Sequence, residues 1–220
     1  MKTSTAAGFT LLEVMTAAGV LSVLVGISVL ALGGMKKRGN FASATGELMA
    51  NLQRTRSEAY GRGSATVFIV DTVGSRWWSL EDVNGTFVPA TSLAAFDPAS
   101  PAPAGFNLLG SNTFPGGVTF SGASAGYAAA LPAPFAGVPS YSGSSPAPAY
   151  NYCSFCVTSG ANAGFGAVRF EASGGATFSG GPAGVGQSFS LAGKLDTGVN
   201  VMTVAIIART GASESFQVYR

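Results

Sequence analysis

The chain has 220 residues, of which 10% are charged, and its formal net charge is +2. A typical soluble domain carries about 25% charged residues, so this composition suits an envelope or extracellular protein whose solubility comes from small polar residues. The net charge is too small to indicate a nucleic-acid partner. The chain contains no histidine, which excludes Ser-His-Asp triads and imidazole zinc sites.

The N-terminal region reads as a membrane segment. From Phe9 to Met35 the one ionisable side chain is Glu13, and this run exceeds the roughly 20 residues that a helix needs to cross a hydrocarbon core of about 30 Å. An ordinary signal peptide has a shorter apolar stretch that begins directly after its charged region. We therefore predict a leader over residues 1–8 and a transmembrane helix over 9–35.

Glu13 needs its own explanation. A carboxylate costs about 2.5 to 3.5 kcal/mol at the centre of a membrane helix and less near the interface. One explanation is a cationic partner on a neighbouring helix. The other is a carboxylate that reaches the membrane surface without a partner.

The segment 8–35, GFTLLEVMTAAGVLSVLVGISVLALGGM, resembles the class III prepilin signature of the type IV pilin-like family. In that family a prepilin peptidase cuts after the glycine, here Gly8, and methylates the new amine, here on Phe9. The resemblance implies that Glu13 of one subunit neutralises the Phe9 amine of its neighbour. It also implies a single-pass protein of the bacterial inner membrane, with its leader in the cytoplasm and its head in the periplasm, that later enters a pilus or pseudopilus.

Two features of this segment leave alternatives open. Lys36, Lys37 and Arg38 follow the apolar run, and the positive-inside rule alone would place them in the cytoplasm; we follow the resemblance, because the rest of the chain looks like an exported head. Glycines recur every seven residues near one helix face, where they either allow close helix packing or reflect the general abundance of Gly in membrane helices. These are Gly19, Gly26 and Gly33.

Residues 36–62 are predicted to continue the helix as an amphipathic segment that enters the head. Its narrow buried stripe has steps of three and four residues, and it consists of Phe41, Thr45, Leu48, Leu52, Thr55 and Ala59. The outer face carries Glu47, Arg54, Arg56, Glu58 and Arg62. Gly61 and Gly63 supply a C-terminal stop, so we expect a nearly continuous helix over 9–60.

Residues 63–220 are predicted to form a β-rich head. Segment 52–70, with an Arg-Ser-Glu-Ala core at 56–59, resembles GspH-like pseudopilins and FimT/FimU-like minor pilins, as do 168–181 and the closing residues. Strands are expected over 65–70, 77–83, 165–171, 176–179, 187–191, 201–208 and 215–219, with an Asn84-Gly85 hairpin turn. The expected fold is α+β, with two antiparallel sheets packed on the long helix.

An insert over about 86–150 interrupts the predicted strands. It holds ten of the eleven prolines among many Ala, Gly and Ser residues, a composition that resists regular structure. Its aromatic residues argue that parts of it pack onto something. They are Phe96, Phe106, Phe114, Phe120, Tyr127, Phe135, Tyr141 and Tyr150. The insert is either a partner-contact surface or a loop folded on the head.

The two cysteines, Cys153 and Cys156, predict a local disulfide in an oxidising compartment. It would pin the junction between the insert and the C-terminal sheet, while closing too short a loop to stabilise the whole domain greatly. A thioredoxin-like motif would need a βαβ context that is not evident. A metal site would need two further ligands.

The resemblance implies a structural role rather than an enzymatic one. The leading hypothesis is a minor pilin that primes assembly of a type IV pilus or forms its tip, with major and minor pilins, the prepilin peptidase and a tip adhesin as partners. The alternatives are an H-type pseudopilin of a type II secretion system and a DNA-binding minor pilin used in uptake, although nucleic acid is the less expected partner. The carboxylates show no diagnostic spacing, and no cofactor or metal is expected.

Overall fold

The computed structural model describes residues 10–120, 131–139, 152–181, 184–195 and 198–219, with side chains except at 29–32, 194–195 and 218–219. In these residues a long helix carries a head of two antiparallel sheets. The expected α+β layout, a long N-terminal helix followed by antiparallel sheets, is confirmed.

Helix α1, Leu11–Arg62, runs for 52 residues without interruption, which at about 1.5 Å per residue is about 78 Å. It ends at Gly63, whose φ of 67° is left-handed and whose N–H donates to the carbonyl of Ala59 at 3.1 Å. A residue with a Cβ is disfavoured in that conformation, which is why Gly63 ends the helix. Gly61, expected to share this role, lies inside the helix.

The first sheet has the strand order β3-β2-β1-β5-β6. Its strands are β1 (Ala65–Asp71), β2 (Arg76–Asp82), β3 (Phe106–Thr113), β5 (Phe165–Phe170) and β6 (Ala176–Phe178). All seven residues of β1 are buried, because α1 covers one face of the sheet, and the segment with the short helices α2 (Pro89–Ser92) and Leu93–Ala95 covers the other.

The second sheet has the order β4-β7-β8-β9. Its strands are β4 (Val118–Phe120), β7 (Gly186–Leu195), β8 (Gly198–Ile207) and β9 (Ser213–Tyr219). The three C-terminal strands and the β5–β6 return through residues 173–175 are therefore confirmed.

The main core lies where α1 meets the inner faces of both sheets. Every residue of the predicted stripe is buried, and Leu48, Leu52 and Ala59 expose 0% of their surface. The partners of the stripe include Phe68, Val70, Trp77, Phe189, Leu191 and Val204. The helical periodicity therefore identified the buried face of α1 correctly.

One expectation about the region after β2 was wrong. The Asn84-Gly85 turn does not close a hairpin, because the chain runs on into α2 and the next strand begins only at Phe106. The carboxylate of Asp82 instead accepts the N–H groups of Thr86 and Phe87 at 3.0 and 2.8 Å, which turns the chain toward the outer face of the sheet.

The insert is also more regular than its composition suggested. It supplies β3 at the edge of the first sheet and β4 at the edge of the second. Of its predicted aromatics, Phe96, Phe114, Phe120 and Phe135 are buried and Phe106 is half-buried; Tyr127, Tyr141 and Tyr150 lie outside the described residues. Proline-rich composition did not prevent strand pairing, because the strands use the stretches between the prolines.

Replacing Leu52 by alanine should lower the free energy of unfolding by about 2 to 5 kcal/mol, because it leaves a cavity in the main core. Urea titration of the full chain in detergent would measure this through Trp77, which is 2% exposed and stacks on Phe68 at 5.4 Å. The control is Met15→Ala on the same helix, where the side chain is 65% exposed. An equal loss in both variants would contradict the assignment of the core.

Candidate functional site

The first half of α1 has no contact with the head that would bury its apolar side chains. The large apolar residues described there expose 54–79% of their surface. This is the one helix in the described part of the chain that is long and apolar enough to cross a membrane. Residues 11–35 at about 1.5 Å each span about 37 Å, which exceeds the hydrocarbon thickness of about 30 Å and leaves room for tilt.

A capping box begins this helix. The side chain of Thr10 accepts the N–H of Glu13 at 3.3 Å, and the N–H of Thr10 donates to the Glu13 carboxylate at 3.4 Å. Both bonds are long and exposed, and therefore weak. The Thr-x-x-Glu spacing is a known helix-start pattern, so the role of Thr10 was visible in the sequence and was missed.

The structure locates only some of the predicted assembly residues. Gly8 and Phe9 lie outside the described residues. Glu13 is exposed at the start of α1 and has Thr10 of its own chain as a partner. A Cβ added at Gly19, Gly26 or Gly33 would meet no heavy atom within 4 Å, so both explanations for these glycines stay open.

Polar contacts fix the second half of α1 to the first sheet. The hydroxyl of Thr55 lies 2.6 Å from that of Ser79 on β2, and the hydroxyl of Thr66 on β1 donates to the carbonyl of Thr55 at 2.7 Å. All three residues are buried. Buried polar groups are costly without partners, so these bonds favour one position of the helix over a slid or rotated one.

An ion-pair network closes the end of the same junction. Arg62 lies 2.6 Å from Glu58 on α1 and 3.1 Å from Glu81 on β2. Asn107 and Ser64 also donate to Glu81, at 3.0 and 3.1 Å. The network joins the helix, the turn after it, β2 and β3. Glu81 and Asn107 are far in sequence from Glu58 and Arg62, which is why the sequence did not reveal the network.

These contacts change the acidity of the groups involved. The hydrogen bond from Asn107 is the main cause that lowers the pKa of Glu81, with Ser64 and Arg62 adding to it. The bond from Arg62 lowers the pKa of Glu58, and the same bond raises the pKa of Arg62. Both carboxylates are therefore held in their charged form at the junction.

Acid should loosen this junction through Glu81. Because its folded-state pKa is lowered, its contribution to stability is present above the unfolded-state pKa of about 4.3 and is lost as the pH falls through the folded-state value. Glu81→Gln should therefore flatten the acid limb of the stability–pH curve, measured by urea titration at a series of pH values.

A matched pair of variants tests the cause. Asn107→Ala removes the main donor to Glu81 and should shift the acid limb to higher pH, whereas Ser111→Ala on the same strand should leave it in place. An unchanged acid limb in both Glu81→Gln and Asn107→Ala would show that this carboxylate does not control acid stability.

The structure contains the predicted Cys153–Cys156 disulfide. Cys153 forms a β-bridge with Phe189 of β7. Next to it, the N–H of Ser154 donates to the carbonyl of Ser188, and the hydroxyl of Ser154 accepts the N–H of Ser188, both at 2.8 Å. The disulfide therefore holds residues that follow the insert against the second sheet.

Replacing both cysteines by serine should lower the free energy of unfolding by about 2 kcal/mol, the value expected for so short a loop. Membrane insertion should be unchanged, because the cysteines lie in the core of the head and the apolar first half of α1 is not packed against it. Urea titration measures the loss. Adding a reductant to the wild type should cause the same loss of free energy of unfolding and should leave the double variant unaffected. If neither change lowered the free energy of unfolding, the disulfide would not contribute to stability.

The described arginines of the head are largely engaged in ion pairs. Arg76 pairs with Asp71 at 2.8 Å, Arg169 lies 3.6 Å from Asp82, and Arg62 belongs to the junction network. Phosphate binding needs cations that are clustered and available, and these are neutralised by their own chain. In the same described ranges, no group of three or more metal-ligating side chains comes together.

No family model, curated protein or solved structure matches this chain.

Proposed function

We propose that this chain is a type IV pilin-like subunit, and specifically a minor pilin that primes pilus assembly or forms the pilus tip. The observation that carries the proposal is the division of α1: its first half is apolar and exposed, and its second half is buried against a two-sheet head. An exposed apolar helix half must be covered by lipid or by other helices. A subunit that passes from the membrane into a helix bundle uses both covers in turn.

The chemistry at the N-terminus supplies an order of events. Cleavage after Gly8 would create the Phe9 amine, which is the cation that a carboxylate in a membrane lacks. Within the described residues, the Glu13 carboxylate has weak, exposed bonds to Thr10 of its own chain, and little is lost when it exchanges them for an amine on a neighbouring helix. Charge-assisted hydrogen bonds are about twice as strong as neutral ones, and the low dielectric of a helix bundle strengthens the attraction further.

The junction at the other end supports the same role. Buried hydrogen bonds and an ion-pair network oppose sliding of the head along α1; they involve Thr55, Thr66, Ser79 and Arg62. A helix that is fixed in a bundle would therefore hold its head in a defined position on the filament surface. This property suits a structural subunit rather than a flexible tether.

A type II secretion pseudopilin is the second candidate, since it would use the same helix and the same N-terminal chemistry. The insert favours a position at the pilus tip over one in the shaft. It builds an edge strand on each sheet and covers the outer face of the first, and such an enlarged head is less suited to close repetition along a shaft. A DNA-binding role has less support, because Arg76 and Arg169 of the head are paired with carboxylates of their own chain.

Substitution of Glu13 tests the assembly mechanism. Glu13→Ala should be processed normally, yet enter filaments at least about tenfold less, a cost of about 1.4 kcal/mol or more. Glu13→Gln is the matched variant, because glutamine keeps the capping bond to Thr10 but carries no charge. If charge pairing drives assembly, glutamine should behave like alanine. The measurement is the ratio of subunit in sheared filaments to subunit in membranes, by immunoblot.

Two controls complete this experiment. Gly8→Val should leave an uncleaved membrane protein that does not assemble, because the Phe9 amine is never formed. Normal assembly of Glu13→Ala would refute the pairing and leave the pilin assignment standing. A topology reporter fused after Arg220 that reads cytoplasmic would overturn the assignment itself.

A further inference from the structure

No described strand pairs with the outer side of strand β3. It is the edge strand of the first sheet and pairs only with β2 among the described strands. The N–H of Phe114 donates to the carbonyl of Ser75 at 2.9 Å, and the carbonyl of Gly105 accepts the N–H of Val83 at 3.1 Å. These two bonds show which backbone groups at each end of β3 face β2.

Backbone groups alternate in direction along a strand. Counting from Phe114 and Gly105, the N–H and carbonyl groups of Leu108 and Ser111 face away from β2. Both residues are exposed. A strand with such groups and no charged residue or proline is a template for adding another strand, and β3, FNLLGSNT, has neither. The irregular register next to Leu80 divides this edge into two short runs.

An apolar pocket of about 230 Å³ lies at the Phe106 end of β3. Its walls include Leu80, Phe87, Ala95, Phe96 and Pro103. Pockets that bind cofactors and drug-sized ligands are usually about 300 to 1,000 Å³. This pocket is smaller than that range and suits one large apolar side chain.

A polar cleft of about 380 Å³ lies at the other end of β3, lined by Arg76, Trp78, Pro98 and residues 111–113. Nε and Nη2 of Arg76 donate hydrogen bonds to the Asp71 carboxylate at 3.2 and 2.8 Å. The guanidinium lies over the Trp78 ring, 5.2 Å from its centroid. Arg76 is therefore held in place while Nη1 has no acceptor among the described residues. A carboxylate is the group that best matches a fixed guanidinium N–H.

We propose that β3 is a strand-addition site for an extended segment of a partner protein, which inserts a large apolar side chain into the pocket beside Phe106 and presents an Asp or Glu side chain to Arg76. Main-chain bonds to β3 would supply affinity and the two pockets would supply specificity. The lining residues Phe106 and Ser111 are five positions apart, which at about 3.3 Å per residue is about 17 Å. The two anchors of the partner are therefore four to six residues apart. This site is in the head and does not depend on filament assembly.

The test uses the full chain in detergent micelles and a set of seven-residue peptides with alternating threonines. Each peptide carries Phe, Leu or Ile as the apolar anchor and a Glu four or six residues away from it. One example is acetyl-TETVTFT-amide. Binding is measured by titration in nuclear magnetic resonance, together with hydrogen exchange of individual amides. At least one peptide should bind and should slow exchange at the amides of Leu108 and Ser111. A copy of that peptide with N-methyl groups on alternate amides should bind at least about tenfold more weakly, because it lacks main-chain donors.

Matched protein variants locate the pocket. Ala95→Trp fills it from an exposed lining position and should weaken binding at least tenfold, whereas Ala94→Trp, an exposed neighbour outside the pocket lining, should change it less than twofold. Replacing Glu by Gln in the peptide should cost only about three- to fivefold, because Asp71 already neutralises Arg76. Glu13→Ala should bind the peptide normally, which separates this site from the proposed assembly mechanism.

Three results would overturn the proposal: no binding by any of the peptides, equal binding by the N-methylated peptide, or equal effects of Ala95→Trp and Ala94→Trp. The second of these would mean that the groove takes side chains without strand addition.

Discussion

The burial of one narrow stripe of α1 against two β-sheets is the contact on which the rest of the molecule depends. Phe41, Leu48, Leu52 and Ala59 join the inner faces of both sheets into one core. Without this stripe the two sheets would lack their shared apolar partner. The same contact divides the helix: the head covers its second half, and the apolar first half is left to other surroundings.

This division explains why polar chemistry concentrates at the two ends of α1. At the buried end, Thr55 and the Arg62 network fix the position of the helix with bonds that only a folded head can provide. At the exposed end, the bonds that Glu13 makes within the described part of the chain are the long ones to Thr10. The buried end forms its polar bonds within its own chain, and the exposed end keeps a carboxylate that we propose finds its stronger partner in a filament.

The first sheet shows what a two-sided cover does to a β-sheet. Its central strand β1 is buried on both faces, because α1 lies on one side and the α2 region on the other. The insert provides this second cover and also the edge strand β3, so it forms part of the head structure. The pockets that flank β3 arise where the proline-rich cover ends and the open edge begins.

The sequence by itself determined the long helix, its buried stripe, most strands and the disulfide pair, because periodicity, Gly63 and two cysteines three positions apart are local signals. Residues 8–35 also resemble the class III prepilin signature, which is a local sequence feature. Only the tertiary structure decided which strands the insert contributes, that Asn84-Gly85 leads into α2, and that Arg62, Glu81 and Asn107 meet. These outcomes depend on pairing between residues distant in the chain, for which local propensity carries no information.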